Sequence, residues 1–383
     1  MNAPLELRAV DGSRGADSRA FIELPFRLYR RCPQWVPWFR ADIRAILDRR
    51  HPFFEHSTGV FFLARRAGQA VGRIAVLENT RYNDRHATRY AFFHLLEMEE
   101  DAETAAALLE ASAQWARRRG LAALVGPGGL GATAGSGILV EGFEHRAAMT
   151  MMGYNYPYYA RLLERLGFQP HQNLYSARLD AASFRLPERV RSVAEKVLAR
   201  GRFRVLEFRR KRELERLAPE LGQVYNTAIG ADHPETYPYS ERELERVTRE
   251  LIFVADPALI KVLACGERVA GFVFGFPDLS SALQRSRGRL TPWALLDILA
   301  EYRRTTGLIV NGMGILPEFQ RLGGNALLYY VLERAVRGRP PASPPFRHVD
   351  LTQVAETTPL MLSDLQTLGG QVYKTHRVYR KEL

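Results

Sequence analysis

A pair of matched segments repeats along this chain. "FFLARRAGQAVGRIAVLEN" (Phe61–Asn79) and "IKVLACGERVAGFVFGFPD" (Ile260–Asp278) each read as an apolar strand, a turn holding Gly68 or Gly266, then Val, Gly and a second apolar strand. That is the pattern of a β-hairpin. Gly72 and Gly271 lie 199 residues apart. A second pair keeps nearly that spacing. "LLERLGFQPHQNLYSARL" (Leu162–Leu179) and "DLQTLGGQVYKTHRVYRK" (Asp364–Lys381) each read as a helix end, a Leu-Gly cap and an alternating strand, with Gly167 and Gly369 separated by 202 residues. Two unrelated elements at one offset predict two similar domains, 1–182 and 183–383, divided at "LDAASFRLPERV".

The order within the halves also agrees. A helical region (19–47; 211–251) precedes the hairpin. A strand follows (89–96; 308–316), then an amphipathic helix (103–119; 325–337), a strand (121–125; 348–354), the capped helix and a last strand. Strands interleaved with helices make this an α/β chain, α+β in some schemes. Each half is expected to be a mixed, mostly antiparallel sheet flanked by helices.

A hydrophobic share of 46% with 25% charged residues is that of a globular protein, and no apolar run reaches spanning length. The N-terminus lacks the basic-then-apolar layout of a secretory leader. Cys32 and Cys265 can make no disulfide framework and have no metal-ligand spacing, so no metal site is expected. These features point to a cytoplasmic protein with no membrane partner. The formal charge of +12 admits acidic partners. Its arginines are spread along the chain, and the groups at 117–119 and 209–212 read as solvated helix faces. No nucleic-acid-binding signature accompanies them, and nucleic acid is not the expected partner.

The stretch "NGMGILPEFQRLGGNALLYYVLERA" (Asn311–Ala335) carries the most chemistry. Met313, Gly314 and Ile315 end a strand, Pro317 stops its ladder, and a helix begins near Asn325. Leu327, Leu328, Val331, Leu332 and Ala335 share one helical face. Gln320, Arg321, Leu322, Gly323, Gly324, Asn325 and Ala326 form the turn between them. Consecutive backbone N–H groups at a helix N-terminus, with glycines for close approach, suit a diphosphate. An ordinary strand–turn–helix connection fits the same residues.

"ILPEFQRLGGNALL" (Ile315–Leu328) resembles the acyl-CoA-binding motif of the GNAT acyltransferase superfamily, where Gln/Arg-x-x-Gly-x-Gly/Ala follows a strand and opens a helix. Gln320 and Gly323 match one register, in which Asn325 replaces the last Gly or Ala. Arg321, Gly324 and Ala326 match a register one residue later. With the duplication, the resemblance implies two tandem GNAT-like domains. It implies that 320–326 hold the pyrophosphate of acetyl-CoA or a related acyl-CoA, and that Met313–Ile315 pair with its pantetheine amides. It implies N-acyl transfer, most simply acetyl transfer, by direct attack of a small-molecule or peptide amine on the thioester.

Departures from the family pattern bear on catalysis. The tyrosine that many relatives carry on the fourth helix is Leu365 here, and Leu163 in the first half. Asn311, Glu356 and Tyr373 remain as candidate catalytic residues: a water-holding amide, a base or helix cap, and a proton donor or strand aromatic. In the first half Glu99, Glu100, Asp101 and Glu103 stand where the pyrophosphate turn belongs, and they would repel a diphosphate. Only the second half is expected to bind CoA.

Three further segments have weaker implications. Gly129-x-Gly131-x-x-Ala134 imitates a dinucleotide fingerprint, but "SGILVEGFE" after it reads as a strand and not as the helix such a site requires. Tyr237 and Tyr239 in "DHPETYPYSERE", and the cluster "GYNYPYYARLL", could line an acceptor cleft or simply pack. Two other functions stay open: a non-catalytic CoA- or partner-binding GNAT-like protein, and an aminoacyl-tRNA-dependent transferase.

Overall fold

The computed structural model describes residues 3–131, 134–232 and 236–383. The chain separates into two compact units. Unit 1 comprises residues 1–174, 280–295 and 374–383; unit 2 comprises 175–279 and 296–373.

In unit 1, β1 (Leu5–Val10), β2 (Thr58–Arg66), β3 (Gln69–Glu78) and β4 (Tyr90–Met98) form an antiparallel run, and β5 (Ala123–Gly126) joins β4 in parallel. The hairpin expected at 61–79 is β2–β3. The later part of β13 (Gln371–Glu382) pairs antiparallel with β5 and with β6 (Ile138–Glu141). Helices α1 (Ala16–Leu28), α2 (Arg40–Leu47), α3 (Thr80–His86), α4 (Ala102–Arg118) and α5 (Tyr158–Arg165) flank this sheet. Its core forms where the alternating apolar residues of β3 and β4 meet α4 and α5. Ile74, Phe93, Leu108, Leu109, Leu163 and Phe168 are all buried there.

The strand β7 (Gln169–Asp180) leads into unit 2, whose sheet has β12 (His348–Ala355), β11 (Gly307–Ile315), β10 (Arg268–Pro277), β9 (Ile260–Cys265) and β8 (Arg204–Leu206) in that order. Only β11–β12 is parallel within this set. Helices α6 (Glu188–Ala199), α7 (Lys211–Asp232), α8 (Glu241–Val254), α11 (Gly324–Arg337) and α12 (Pro359–Thr367) cover it. A short α9 (Ser280–Ser286) and α10 (Pro292–Arg304) come between β10 and β11. The buried face of α11 is Leu327, Leu328, Val331 and Leu332, as its 3.6-residue period requires. A mixed, mostly antiparallel sheet with helical cover is thus present in each unit.

Sequence patterning located the motif-bearing elements to within about two residues, the ordinary uncertainty of element ends. It missed β1, α3, α6, β8, α9 and α10. Several of these are short, and periodicity is a weak signal over so few residues.

Candidate active site: a strand fork below an open helix end

The site in unit 2 begins with an irregularity in β11. Its register against β10 runs Gly271↔Ile315, Phe272↔Gly314 and Val273↔Met313, then shifts to Gly275↔Val310. The extra residue is taken up at Asn311–Gly312, where Gly312 has φ +99°, a conformation that favours glycine. On the other side, β11 pairs with β12 from Gly307↔His348 to Val310↔Leu351 and no further. Both strands continue, to Ile315 and Ala355. Beyond position 310 they part into a fork, and no strand among the described residues pairs with the β12-facing edge of 311–315. Asn311 stands at the apex and donates its Nδ2–H to Thr352 Oγ1 at 2.8 Å.

Side chains alternate across this strand. Ile315 points toward α11, where an added Cβ on Gly324 would meet its Cδ1 at 3.1 Å. Gly314 faces α7, and a Cβ there would meet Ala228 at 3.0 Å. Gly314 and Ile315 therefore have their side-chain positions taken up by packing, while the β12-facing backbone edge of Met313–Ile315 carries no strand pairing among the described residues.

From the strand end the chain makes a 3-10 turn (Pro317–Phe319) and enters α11. Gln320 turns its side chain back and donates Nε2–H to Ile315 O at 3.2 Å, so it braces the turn. Arg321 has φ +59°, and Gly323, the N-cap of α11, has φ +80° with no side-chain cap bond. A Cβ at Gly323 would lie 2.7 Å from Val197 Cγ2, so the glycine is needed for packing as well as for φ. Among the described residues, the N–H groups of Arg321, Leu322, Gly323, Gly324, Asn325 and Ala326 meet no acceptor in the protein. Six N–H groups without a protein acceptor at the positive end of a helix are the donor set that a diphosphate would need.

The fit to a phosphorylated ligand rests on that donor set. Asn325 is occupied otherwise. It donates Nδ2–H to Asp364 Oδ2 at 3.2 Å, and Tyr329 one turn later donates to the same oxygen at 2.8 Å. Tyr329 holds its proton well above its ordinary range, first because it is buried and then because Asp364 is beside it. Sequence reasoning missed both residues. The i,i+4 spacing of Asn325 and Tyr329 shows a shared face, but their partner on α12 lies 35 residues further on.

The remaining candidates occupy different surroundings. Tyr373 packs its ring under the Arg178 guanidinium, 4.4 Å from the ring centre, and Arg178 forms a two-pronged ion pair with Asp350 at 2.7 and 3.1 Å. Burial and then Asp350 push the Tyr373 hydroxyl far up, which makes it a weak proton donor. Glu356 is exposed in the turn after β12, and the N-cap of α12 is Thr358. Leu365, in place of the familiar tyrosine, is buried. Tyr237 and Tyr239 are both buried. Tyr237 donates to Glu243 Oε1 at 2.7 Å, and the Tyr239 backbone is clasped by the Asn226 side chain. Tyr225 stacks between Tyr239 and Phe272, and Phe272 stacks on Phe274 with ring centres 4.3 Å apart.

Beside this aromatic row is a small apolar slot of about 60 Å³, open to solvent, between α7, α8 and the sheet. Leu214, Leu221, Leu244, Leu251, Phe274 and Phe276 line it. Phe274 also flanks Gly312, where a Cβ would lie 3.3 Å from its ring.

Unit 1 has the corresponding strand irregularity but a different filling. The β3–β4 register shifts between Arg73 and Ala75, and Leu95 has φ +49°. The Met98 backbone is already satisfied: its N–H donates to Tyr159 Oη at 2.9 Å and its C=O accepts from Tyr158 Oη at 2.6 Å. Below it, Glu97 accepts from Tyr29 and Tyr159, and its carboxyl is pushed up by burial against the opposing pull of Arg73. The acids of the following turn are engaged as well. Glu99 pairs with Arg27 at 2.7 Å, Glu100 with Arg161, and Glu103 with Arg66. Asp101 caps α4, accepting from Thr104 N at 3.0 Å. In the glycine-rich segment, residues 132 and 133 lie outside the described residues, and the strand expected after it is β6.

No family model matches the chain. It is 27% identical over 388 residues to a bacterial ceramide synthase of Caulobacter vibrioides (strain NA1000 / CB15N), covering 99% of this chain and 98% of that one. It is 24% identical over 372 residues to Protein YghO of Escherichia coli (strain K12), covering 96% and 93%. Among solved structures, a tandem GNAT protein from the clavulanic acid biosynthesis pathway aligns over 99% of this chain and 98% of its own, with a TM-score of 0.56 at 12% identity. The chain therefore carries the fold of the GCN5-related N-acetyltransferase superfamily, in its tandem form.

Proposed function

We propose that this protein is an acyl-CoA-dependent N-acyltransferase whose donor site lies in the second half of the chain. The observation that carries the reading is the row of N–H groups from Arg321 to Ala326 that no protein acceptor meets, next to an unpaired strand edge. The matching elements of unit 1 are closed by Tyr158, Tyr159 and the Asp101 cap. The repeat halves 1–182 and 183–383 are read as a non-binding and a binding copy.

In this reading the amides of 321–326 hold a pyrophosphate, with Arg321 beside it. The free edge of Met313–Ile315 pairs with the amides of the pantetheine arm. Bound acyl-CoA supplies a thioester, which reacts with an amine without a covalent enzyme step. The backbone N–H groups at the Gly312 bulge polarise its carbonyl. A thiolate is a good leaving group, since thiols ionise near pH 8.5, so a buried Leu365 in place of an acid is tolerable. The amine proton passes to solvent, with exposed Glu356 as the nearest candidate base in the sequence after β12. Asn311 holds the fork apex.

The acceptor is an amine. One relative is named for ceramide synthesis, and a ceramide is a long-chain amino alcohol bearing an amide-linked fatty acyl group. That chemistry supports an aliphatic reactant in addition to the simplest donor, acetyl-CoA. Cys32 and Cys265 are both free, which supports a reducing, cytoplasmic setting.

Calorimetry with CoA, acetyl-CoA and palmitoyl-CoA tests the donor site. Release of free thiol in the presence of short- and long-chain amines tests transfer. Absence of binding at millimolar CoA would sink the reading. Binding without thiol release across the amines would favour a CoA-binding protein without catalysis.

A further inference from the structure

Helix α10 has no counterpart between β3 and β4 of unit 1 and plays no part in the site above. It is amphipathic with its apolar face outward. Trp293 is 79% exposed, Leu296 57% and Leu299 64%, and Leu290 just before the helix is 48% exposed. Residues spaced by three on a helix span roughly 120° of its circumference, so Trp293, Leu296 and Leu299 form one stripe. Ala294 and Ile298 face inward and are buried. All of these lie on a single helix, so its own geometry sets their spacing.

The surrounding charge is one-sided. From 285 to 304 the exposed residues are Arg285, Arg287, Arg289, Arg303 and Arg304, the apolar residues named, Leu295, Pro292 and Thr291. No exposed acid interrupts them; Asp297 and Glu301 are half-buried. Exposed leucines on a soluble helix are disfavoured unless something covers them. A tryptophan and leucines on one face, with arginines at both ends, suit the interface of a bilayer. The indole sits at headgroup depth, the leucines enter the acyl boundary, and the guanidinium groups meet phosphates. No helix among the described residues is long and apolar enough to cross a membrane, so the contact would be in the plane of the surface.

We propose that α10 docks the protein on the surface of an anionic bilayer, lying in the headgroup region with Trp293, Leu296 and Leu299 inserted. The charge pattern selects this occupant over a protein partner: five exposed arginines, with no exposed acid between residues 285 and 304, complement an anionic surface.

Flotation of the full-length chain with phosphatidylcholine vesicles, with and without 30% phosphatidylglycerol (about the anionic content that gives a strong surface potential), tests this. Binding is expected to the anionic vesicles, weaker in high salt, with a blue shift of tryptophan emission that Trp293→Ala removes. Leu296→Glu/Leu299→Glu is expected to lower the vesicle partition about tenfold or more. Because both positions are exposed, the variant should keep its melting temperature and its CoA affinity. No flotation of the parent, or equal flotation of parent and double variant, would overturn the proposal. So would a parent dimer on size exclusion that the double variant dissolves without any vesicle binding, which would assign the face to a second copy of this chain.

Discussion

Asn311 on β11 donates to Thr352 on β12 one position beyond the last paired residues of the two strands, Val310 and Leu351. The bond spans the apex of the fork and couples strand separation to two short side chains. Thr352→Val keeps the shape and deletes the acceptor, leaving the Asn311 amide without its partner. A loss of about 1–2 kcal/mol in unfolding free energy is expected, with weaker acyl-CoA binding. Urea denaturation and calorimetry on the same preparation would check both, and unchanged CoA affinity would separate the bond from the donor site.

Arg321 already occupies a left-handed position beside the open amides of α11, so its side chain can be changed without new backbone strain. Arg321→Glu places a like charge against a diphosphate and is expected to weaken CoA binding by roughly tenfold or more at low salt. Arg321→Lys should retain most of it. Gly323 is a poorer place to test the cradle, because any side chain there collides with Val197 before it meets a ligand.

Tyr159 closes the corresponding strand end in unit 1 by accepting from Met98 N and donating toward Glu97. Tyr159→Phe leaves a buried N–H and a buried carboxyl short of a partner. A loss of about 1–3 kcal/mol is expected, visible as a lower melting temperature. CoA affinity should not change. Appearance of a second CoA site in this variant would show that the tyrosine alone blocks unit 1.

His94 is buried beside Trp38 with no hydrogen-bond partner at either ring nitrogen among the described residues, and burial followed by the nearby Arg73 pushes its pKa down to about 4. His376 is pushed down to about 4 by burial as well. A depressed histidine stays neutral in the fold while the unfolded chain takes up a proton below about pH 6.5. The stability each contributes is therefore complete above about pH 6.5 and is lost as pH falls toward 4, on the order of 3 kcal/mol per residue at most. His94→Phe should be near neutral at pH 7.5 and should flatten the acid slope of the melting temperature. An unchanged slope between pH 7 and 5 would refute this role for His94.

Local pattern made the motif elements legible. The 3.6-residue period of Leu327, Leu328, Val331 and Leu332, the Pro317 stop and the glycine pair are properties of neighbouring residues, and local sterics act on them directly. The like-for-like comparison of the two turns, one glycine-rich and one acidic, was also available from sequence, because charge and helix capping need no long-range information. Asp364 as the shared partner of Asn325 and Tyr329 was not legible, nor was the Tyr373–Arg178–Asp350 cluster. Their members are far apart in the chain, and no periodicity marks which side chains will meet.

By itself the sequence determined the repeated pattern, the order of the motif-bearing strands and helices, and the contrast between a glycine-bearing turn in one half and an acidic turn in the other. The tertiary structure decided what those pieces present. Strand pairing that stops at Val310 creates the fork, and the Gln320 side chain turns back to Ile315, while the N–H groups of 321–326 meet no acceptor among the described residues. It also decided that residues 374–383 complete the sheet of unit 1 and that the leucine stripe of α10 faces solvent. Hydrophobic periodicity shows that a helix has an apolar face. Which face is buried depends on what the rest of the chain packs against it, and that is settled only by contacts between distant residues.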